Sequence, residues 1–300
     1  MGKELYDAFA ESREIFERVS TGAERDLTEI CFQLDDETLR QTENAQLALF
    51  TVSLASWRAL EKRLQAKPTL FAGHSVGEYA AVVASGSLTV EDAAKLVRRR
   101  GELMAESGKQ RPGTMAAVLG MPSEDLRLLC EECSSESEVV VLANDNCPGQ
   151  AVISGDLNAV QKASGLASER GAKRVVPLNV SGAFHSPLMV EASELMGVSL
   201  REARFGEPRV GHVISNVTAQ PVYAGGAWPN LLESQLRSPV LWTSSIQWAI
   251  KHGVTHFLEC GCGDALTGLL RRIDREPQGM SVTDPASMEA ALKSLEGSFV

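Results

Sequence analysis

A Gly-x-Ser-x-Gly pattern stands at Gly73-His74-Ser75-Val76-Gly77, after the apolar run Pro68–Ala72 and before an alanine-rich stretch of helical character. This strand–turn–helix setting is typical of a nucleophile elbow. We expect both glycines to be needed, because so tight a turn leaves no room for Cβ atoms. The pattern predicts Ser75 as a nucleophile in acyl chemistry and the N–H of Val76, at the helix N-terminus, as an oxyanion donor. The alternative is an ordinary glycine-rich turn with an N-capping serine.

A serine nucleophile needs a general base, since its hydroxyl is weakly reactive at neutral pH. The chain has five histidines. Four adjoin the serine, begin an apolar strand or lie in a polar, surface-like stretch: His74, His212, His252 and His256. His185 differs, because it lies on a loop between a strand and a helix, where catalytic groups collect. His185 is therefore the favoured base, and the residues alone leave the others open.

The elements around the elbow alternate between strands and helices. Apolar residues recur every three or four positions in the predicted helices 4–19 and 43–64, and Thr89 caps a predicted helix at 89–100. Later predicted elements are strands at 211–216 and 255–259 and helices at 229–236, 245–252, 264–272 and 287–295. Such alternation predicts an α/β fold with a mostly parallel sheet.

The stretch from Gly113 to Val180 has a different order of elements. Strands are predicted at 115–119, 138–143, 150–154 and 173–180, and helices at 123–133 and 157–170. The resulting βαββαβ order is that of a ferredoxin-like unit. Loop-like residues stand at both of its ends. We therefore predict a core formed by residues 1–112 and 181–300, interrupted by an inserted subdomain at 113–180.

Composition narrows the class of protein. Hydrophobic residues make up 44% and charged residues 23% of the 300, which is enough apolar material for a sizeable core. The formal net charge of −10 argues against nucleic-acid binding. No run approaches the roughly 20 apolar residues of a membrane helix, and no signal peptide is visible. Cys130 and Cys133 have metal-like spacing without a second pair, so packed thiols are predicted. We expect a cytoplasmic protein without a metal site.

Five segments resemble the malonyl-CoA:acyl carrier protein transacylases. They are Gly73–Glu78, Arg100–Met104, Gly182–Ser186, Gln235–Trp242 and Val282–Ala291. The resemblance covers nearly the whole chain in order. It implies an α/β-hydrolase-like core with a ferredoxin-like insertion, which agrees with the organisation predicted from the residues.

The resemblance also implies roles for individual residues. Ser75 would carry the malonyl group as an ester, with His185 as general base and later general acid. A backbone carbonyl at or beside Gln235 would orient the histidine in place of a carboxylate. Arg100 would hold the malonyl carboxylate in its planar fork, which acetyl-CoA could not satisfy. Without the family, Arg100 is a positive charge at a helix C-terminus on a solvated face.

Further residues line the pocket in the family. Gln46, His74 and Asn146 occupy the corresponding positions. Gln46 and Asn146 also have structural explanations, since glutamine is common in helices and Asn146 lies in an Asn-Asp-Asn-Cys-Pro-Gly segment that is typical of a loop.

The implied activity is transfer of malonyl from coenzyme A to the phosphopantetheine thiol of an acyl carrier protein by a ping-pong route, for fatty-acid or polyketide synthesis. No cofactor is expected, and malonyl-CoA is a substrate. We expect a monomer. Carrier proteins of this kind are acidic, so docking would use basic residues, of which the candidates are Lys162, Lys173, Arg174, Arg271 and Arg272.

One family motif has no counterpart in this sequence. Family members begin with an apolar strand and a Gly-Gln-Gly-Ser-Gln loop, whose first glutamine supplies a second oxyanion N–H. Here Met1–Asp7 resembles the family segment that comes directly after that loop, and we expect a mis-assigned or truncated start. Two other functions stay open: a serine thioesterase or esterase, with Glu191 and His256 completing a triad, and a non-catalytic or partner-dependent module.

Overall fold

The N-terminal part of the chain is helical up to the first strand. The computed structural model describes residues 1–296, so the last four residues of the predicted core segment lie outside the described residues. The helices are α1 (Lys3–Ala8), α2 (Ala10–Ala23), α3 (Leu27–Phe32), α4 (Asp36–Leu39) and α5 (Thr42–Glu61). The predicted helix 4–19 is two helices, because Phe9 adopts an extended conformation with φ −122° and ψ 129°.

The elbow region follows α5. Its elements are β1 (Leu70–Phe71), α6 (Gly77–Ala84) and α7 (Val90–Gln110). The hydroxyl of Thr89 accepts a hydrogen bond from the N–H of Asp92 at 3.1 Å, so the predicted N-cap is confirmed. The helix continues ten residues beyond its predicted end at Arg100, which places that arginine in mid-helix rather than at a C-terminus.

The predicted βαββαβ order is present in the middle of the chain. Its elements are β2 (Gly113–Leu119), α8 (Ser123–Cys133), β3 (Val140–Cys147), β4 (Gln150–Asp156), α9 (Leu157–Glu169) and β5 (Arg174–Pro177). The four strands form an antiparallel sheet in the order β3-β4-β2-β5. Leu126, Ile153 and Val160 share one apolar cluster, and Cys130 and Cys133 are buried within it as packed thiols.

The C-terminal part returns to the core. It contains β6 (His212–Ile214), β7 (Pro221–Val222), β8 (His256–Cys260) and β9 (Gln278–Val282). Its helices are α10 (Val190–Glu202), α11 (Trp228–Gln235), α12 (Trp242–Lys251), α13 (Ala265–Ile273) and α14 (Pro285–Glu296), with short 3₁₀ turns at Pro187–Met189 and Gly225–Ala227. No helix within residues 1–296 has the length and apolar character to cross a membrane.

The core strands form two small sheets rather than the predicted single one. β1 pairs in parallel with β6, β6 pairs antiparallel with β7, and β8 pairs in parallel with β9. The prediction missed β7 because it has only two residues, and β9 because its sequence Gln-Gly-Met-Ser-Val lacks a clear apolar alternation. The mixed α/β class is confirmed, and two of the three pairings among these core strands are parallel.

The inserted unit is fastened to the core beside the elbow. The N–H of Asp145 donates to the carbonyl of Val240 at 3.0 Å, and the N–H of Val240 donates to the carbonyl of Ala143 at 2.9 Å. The hydroxyl of Thr243 donates to Oδ1 of Asp145 at 2.9 Å. These bonds hold the end of β3 against the start of α12, so the insertion borders the site.

Candidate active site

The turn between β1 and α6 holds Ser75 in a strained conformation. Its φ of 52° lies in the left-handed region that side-chain-bearing residues seldom adopt. A Cβ on Gly73 would lie 2.0 Å from backbone atoms of Gly77, so glycine is required there. The prediction for Gly77 is wrong: a Cβ at that position meets nothing within 4 Å, because Gly77 already begins the helix. One glycine therefore creates the tight turn.

Ser75 and His185 form a hydrogen-bonded pair. Oγ of Ser75 lies 2.8 Å from Nε2 of His185, and Nδ1 of the same ring lies 2.8 Å from the backbone carbonyl of Gln235. A carbonyl only accepts hydrogen bonds, so Nδ1 carries the hydrogen and Nε2 presents its lone pair to the serine hydroxyl. Burial, with the charge of Arg100 adding to it, lowers the pKa of His185 to about 3. The imidazole is thus neutral, and the geometry directs its Nε2 lone pair at the serine hydroxyl.

Arg100 brings a buried positive charge to the same point. Its side chain is 1% exposed, and Nη2 donates to Oγ of Ser75 at 3.0 Å. The other partners are amide oxygens, those of Gln46 at 2.6 Å and of Gln235 at 2.9 Å. Within residues 1–296 no ion pair involves Arg100, whereas its neighbours Arg98 and Arg99 pair with glutamates. The solvated helix end considered from the sequence is wrong, and the guanidinium is available to an incoming carboxylate.

The N–H of Val76 is free for an oxyanion. The N–H of Ser75 is already bonded to Oδ1 of Asn216 at 2.8 Å, and Nδ2 of Asn216 donates to the carbonyl of Gly73 at 2.7 Å. In contrast, the N–H of Val76 makes no hydrogen bond within residues 1–296. Asn216 was not predicted as a site residue, although a polar residue just after a strand parallel to β1 was a usable signal.

The three predicted pocket residues lie at the edge of this group. Gln46 on α5 accepts from Arg100 and contacts Sδ of Met104 through Nε2 at 2.9 Å. Nε2 of His74 lies 2.8 Å from Oδ1 of Asn146, and burial lowers the pKa of His74. The expected loop position of Asn146 is wrong, because β3 extends through Cys147 and the turn begins after it.

The remaining histidines have other surroundings. The ring of His212 lies 4.6 Å from that of Tyr223, and the ring of His252 stacks on Trp248 at 3.6 Å. His256 lies 2.9 Å from the hydroxyl of Thr255. Within residues 1–296 no group of three or more His, Cys, Asp or Glu side chains is arranged to hold a metal ion. His185 is thus the histidine that the structure brings to Ser75.

Comparisons with known proteins give one consistent result. A family model described as the acyl transferase domain matches residues 1–283. Malonyl CoA-acyl carrier protein transacylase of Bacillus subtilis (strain 168) is 42% identical over 298 residues, which cover 99% of this chain and 93% of the relative. The enzyme of the same name from Escherichia coli (strain K12) is 37% identical over 280 residues, covering 93% of this chain and 90% of the relative.

Solved structures of related proteins share the fold of this chain. The malonyl-CoA:acyl carrier protein transacylase of Xanthomonas oryzae superposes with a TM-score of 0.93 at 38% identity, covering 98% of this chain and 93% of that one. A malonyl-transacylase solved with a type II polyketide acyl-carrier protein also gives 0.93, at 35% identity over 98% of this chain and 94% of that one. On its sequence, its fold and the match across residues 1–283, the chain belongs to the acyl transferase domain family.

Proposed function

We propose that this protein transfers a malonyl group from malonyl-CoA to the phosphopantetheine thiol of an acyl carrier protein, for fatty-acid or polyketide synthesis. The observation that carries the proposal is the meeting of two groups at the nucleophilic oxygen. Oγ of Ser75 contacts a neutral imidazole and a buried guanidinium that has no carboxylate partner within residues 1–296. The names of the relatives support the same reaction.

In the first half-reaction Ser75 becomes acylated. His185 accepts the hydroxyl proton at Nε2 as Oγ attacks the thioester carbonyl. The N–H of Val76 stabilises the negative charge that develops on the carbonyl oxygen. The C–S bond then breaks, and coenzyme A leaves as a thiol after it receives the proton from His185. The malonyl group remains as an ester on Ser75.

In the second half-reaction the carrier protein's thiol takes the place of coenzyme A. His185 is neutral again and removes the thiol proton while the sulfur attacks the ester. The Ser75 oxygen leaves and regains its proton from the imidazole. The carbonyl of Gln235 holds Nδ1 throughout, so the ring keeps one tautomer in both halves. A backbone carbonyl carries no charge, and this role therefore needs no third catalytic side chain.

Arg100 supplies selectivity in this scheme. A malonyl carboxylate would pair with a guanidinium that now has neutral partners only, and charge-assisted pairs are the stronger class of hydrogen bond. An acetyl group would leave that buried charge unpaired. Such a residue selects a carboxylated acyl group, and the names of the relatives favour transfer of that group over its hydrolysis.

The carrier protein would approach across the C-terminal end of α13. Three arginines and one carboxylate line a cavity of ≈ 570 Å³ together with Ile273 and Pro148, and these charged residues are Arg271, Arg272, Arg275 and Asp274. Arg272 donates to Oε1 of Gln150 at 2.5 Å, which ties this basic surface to the insertion that borders the site. Positive side chains here complement an acidic partner and would raise its association rate.

We also propose the subdomain organisation, the cellular compartment and the oligomeric state of the protein. The antiparallel βαββαβ unit supports a ferredoxin-like subdomain at residues 113–180, inserted into an α/β-hydrolase-like core of residues 1–112 and 181–300. All six cysteines are free thiols, as expected in a reducing compartment, so we place the protein in the cytoplasm. We propose that it acts as a monomer without a bound cofactor or metal, and that it binds neither nucleic acid nor membrane.

Intact-mass measurement after mixing with malonyl-CoA tests the proposal. The wild type is expected to gain one malonyl group, and Ser75→Ala is expected to gain none, with a rate loss of at least about 10⁴-fold. Ser137→Ala is the control, since that serine is exposed in the turn before β3. Addition of holo carrier protein then separates the two enzyme functions. Loss of the malonyl group to water rather than to the carrier would identify a thioesterase, and no adduct at all would identify a non-catalytic module.

A further inference from the structure

A buried carboxyl group lies one helical turn after the nucleophile. Glu78 on α6 is 1% exposed, and no other Asp or Glu within residues 1–296 is buried to this degree. The transfer reaction described above has no step for it. Ionised side chains are costly to bury, so its contacts must compensate that cost.

Both oxygens of Glu78 accept hydrogen bonds. Oε1 accepts from the backbone N–H of Asn216 at 2.9 Å, and Oε2 accepts from Nε2 of Gln235. Two acceptors facing two donors suit a carboxylate better than a neutral substitute. A glutamine at this position turns one of the two contacts into a donor–donor contact, and a protonated carboxyl loses the charge and part of its acceptor capacity.

The side-chain amide of Gln235 has a single orientation that satisfies its partners. Its Nε2 donates to Glu78 and to the carbonyl of Ser75 at 3.0 Å, and its Oε1 accepts from Nη2 of Arg100 at 2.9 Å. A guanidinium only donates and a backbone carbonyl only accepts, so a flipped amide would lose all of these contacts. Glu78 is the charged acceptor in this chain of bonds.

We infer that Glu78 is a positioning residue, which fixes the amide of Gln235 and through it holds the guanidinium of Arg100 beside Ser75 for a substrate carboxylate. The inference rests on the proposed function, since it concerns how the same site selects a malonyl group. Glu78 does not contact Oγ of Ser75, and it forms no ion pair with Arg100. It therefore acts through Gln235.

Two routes lead from Glu78 to the reacting atoms, and they differ in what they affect. The route through Asn216 supports the elbow, because the Asn216 side chain bridges the N–H of Ser75 and the carbonyl of Gly73. That route serves every acyl group equally. The route through Gln235 and Arg100 matters only for an acyl group with a carboxylate. The preference for malonyl-CoA over acetyl-CoA therefore reports the second route alone.

The charge of Glu78 can also be removed by protonation, which gives a second and independent test of its role. Burial raises the pKa of Glu78 to about 7, against hydrogen bonds from Asn216, Gln235 and Ser215 and the charge of Arg100, which lower it. The other titratable groups here keep their state near neutrality. Burial lowers the pKa of His185 to about 3, lowers that of His74 and raises that of Tyr79, so these groups are uncharged. Burial also lowers the pKa of Arg100, but a guanidinium stays charged. The charge on Glu78 is thus present above about pH 8 and lost below about pH 6, one unit on either side of its pKa.

The first experiment compares Glu78→Gln with wild type in kcat/KM for malonyl-CoA and for acetyl-CoA at pH 8. The expected result is about a tenfold fall in malonyl preference, the effect of one unsatisfied donor in a buried network. Glu259→Gln is the matched control. Its carboxylate accepts from the N–H groups of Leu266 and Thr267 at 3.0 and 2.7 Å, and neither partner belongs to the site, so we expect the same chemical change there to leave the preference unaltered.

The second experiment starts from the wild type, so its main result does not depend on whether a variant folds. In the wild type, malonyl preference measured from kcat/KM is expected to fall about tenfold from pH 8 to pH 6, because kcat/KM reports groups of the free enzyme. In Glu78→Gln this dependence is expected to vanish. An unchanged preference in both measurements would overturn the inference. So would a preference that rises as the pH falls, since Glu78 would then act as a repelling charge. A wild type that transfers no malonyl group at any pH would instead refute the proposed function.

Discussion

The two sides of the candidate site are built differently. On the core side, Ser75, Arg100, His185 and Gln235 come from four separate segments and are joined by direct hydrogen bonds, and all of them except the partly exposed Ser75 are buried. On the insertion side, Asn146 is the one predicted site residue, and it reaches the nucleophile only through His74. Asn146 is also half-exposed, whereas Arg100 is buried.

This difference separates the residues that take part in the reaction from those that only border the pocket. A group that must hold a proton or a charge at a fixed distance needs partners that cannot rearrange. The core side provides them, because its hydrogen bonds fix each side chain in one orientation. A group that only shapes the entrance tolerates exposure and a single hydrogen bond. We therefore expect large effects when core residues are changed and small effects when insertion residues are changed.

Among substitutions that keep the Ser75 nucleophile, the largest effect is expected for His185→Ala. The variant removes the only imidazole that contacts Ser75 Oγ in the described structure, and the loss of a base in a nucleophile–base pair costs about 10⁴-fold in acylation rate. Rapid-quench measurement of malonyl-Ser75 formation checks it. His252→Ala serves as control, since that ring stacks on Trp248 at the surface. A loss of less than tenfold would show that another group takes the proton.

An intermediate effect is expected for Arg100→Ala. The malonyl carboxylate would lose its buried cationic partner, and truncation of such a pair costs about 10²–10³-fold in kcat/KM. Acetyl-CoA makes no use of the charge, so its relative acceptance is expected to rise. Steady-state kinetics with both thioesters measure this change.

The neighbouring residue gives the matched control for Arg100. Arg99 stands on the same helix, is exposed and lies 3.8 Å from Glu102, so Arg99→Ala removes the same charge without touching the site. Equal discrimination between malonyl and acetyl in Arg100→Ala and wild type would show that the arginine does not bind the carboxylate.

The sequence predicted the parts of the site that have a local signature. The elbow could be recognised because strand, glycine, serine and helix follow one another within about ten residues. Helix 123–133 was predicted with its observed bounds, since an acidic first turn and an apolar stripe mark it out. The roles given to His185 and Arg100 depended on the family resemblance, because from the residues alone one was only favoured and the other looked like a solvated charge.

What the sequence could not predict are the contacts between distant segments. Glu78 meets Asn216 and Gln235 across 138 and 157 residues, and neither pairing follows from a periodicity or a motif. The same holds for the division of the core strands into two sheets, which depends on the pairing of β9 with β8. Propensity describes single elements, whereas these features are set by tertiary packing.

The smallest effect is expected for Asn146→Ala, and it tests the insertion side directly. The variant frees His74 from its hydrogen bond, but the ring still lies 5.5 Å from that of Trp242, so it keeps one neighbour. We expect a loss of less than about tenfold in kcat/KM, the scale of one partly exposed hydrogen bond, with no change in malonyl preference. Asn158→Ala, which removes an exposed bond to Glu138 elsewhere on the insertion, is the control. A loss as large as that of Arg100→Ala would mean that the insertion supplies chemistry as well as cover, because a residue that only borders the pocket cannot contribute so much to the transition state.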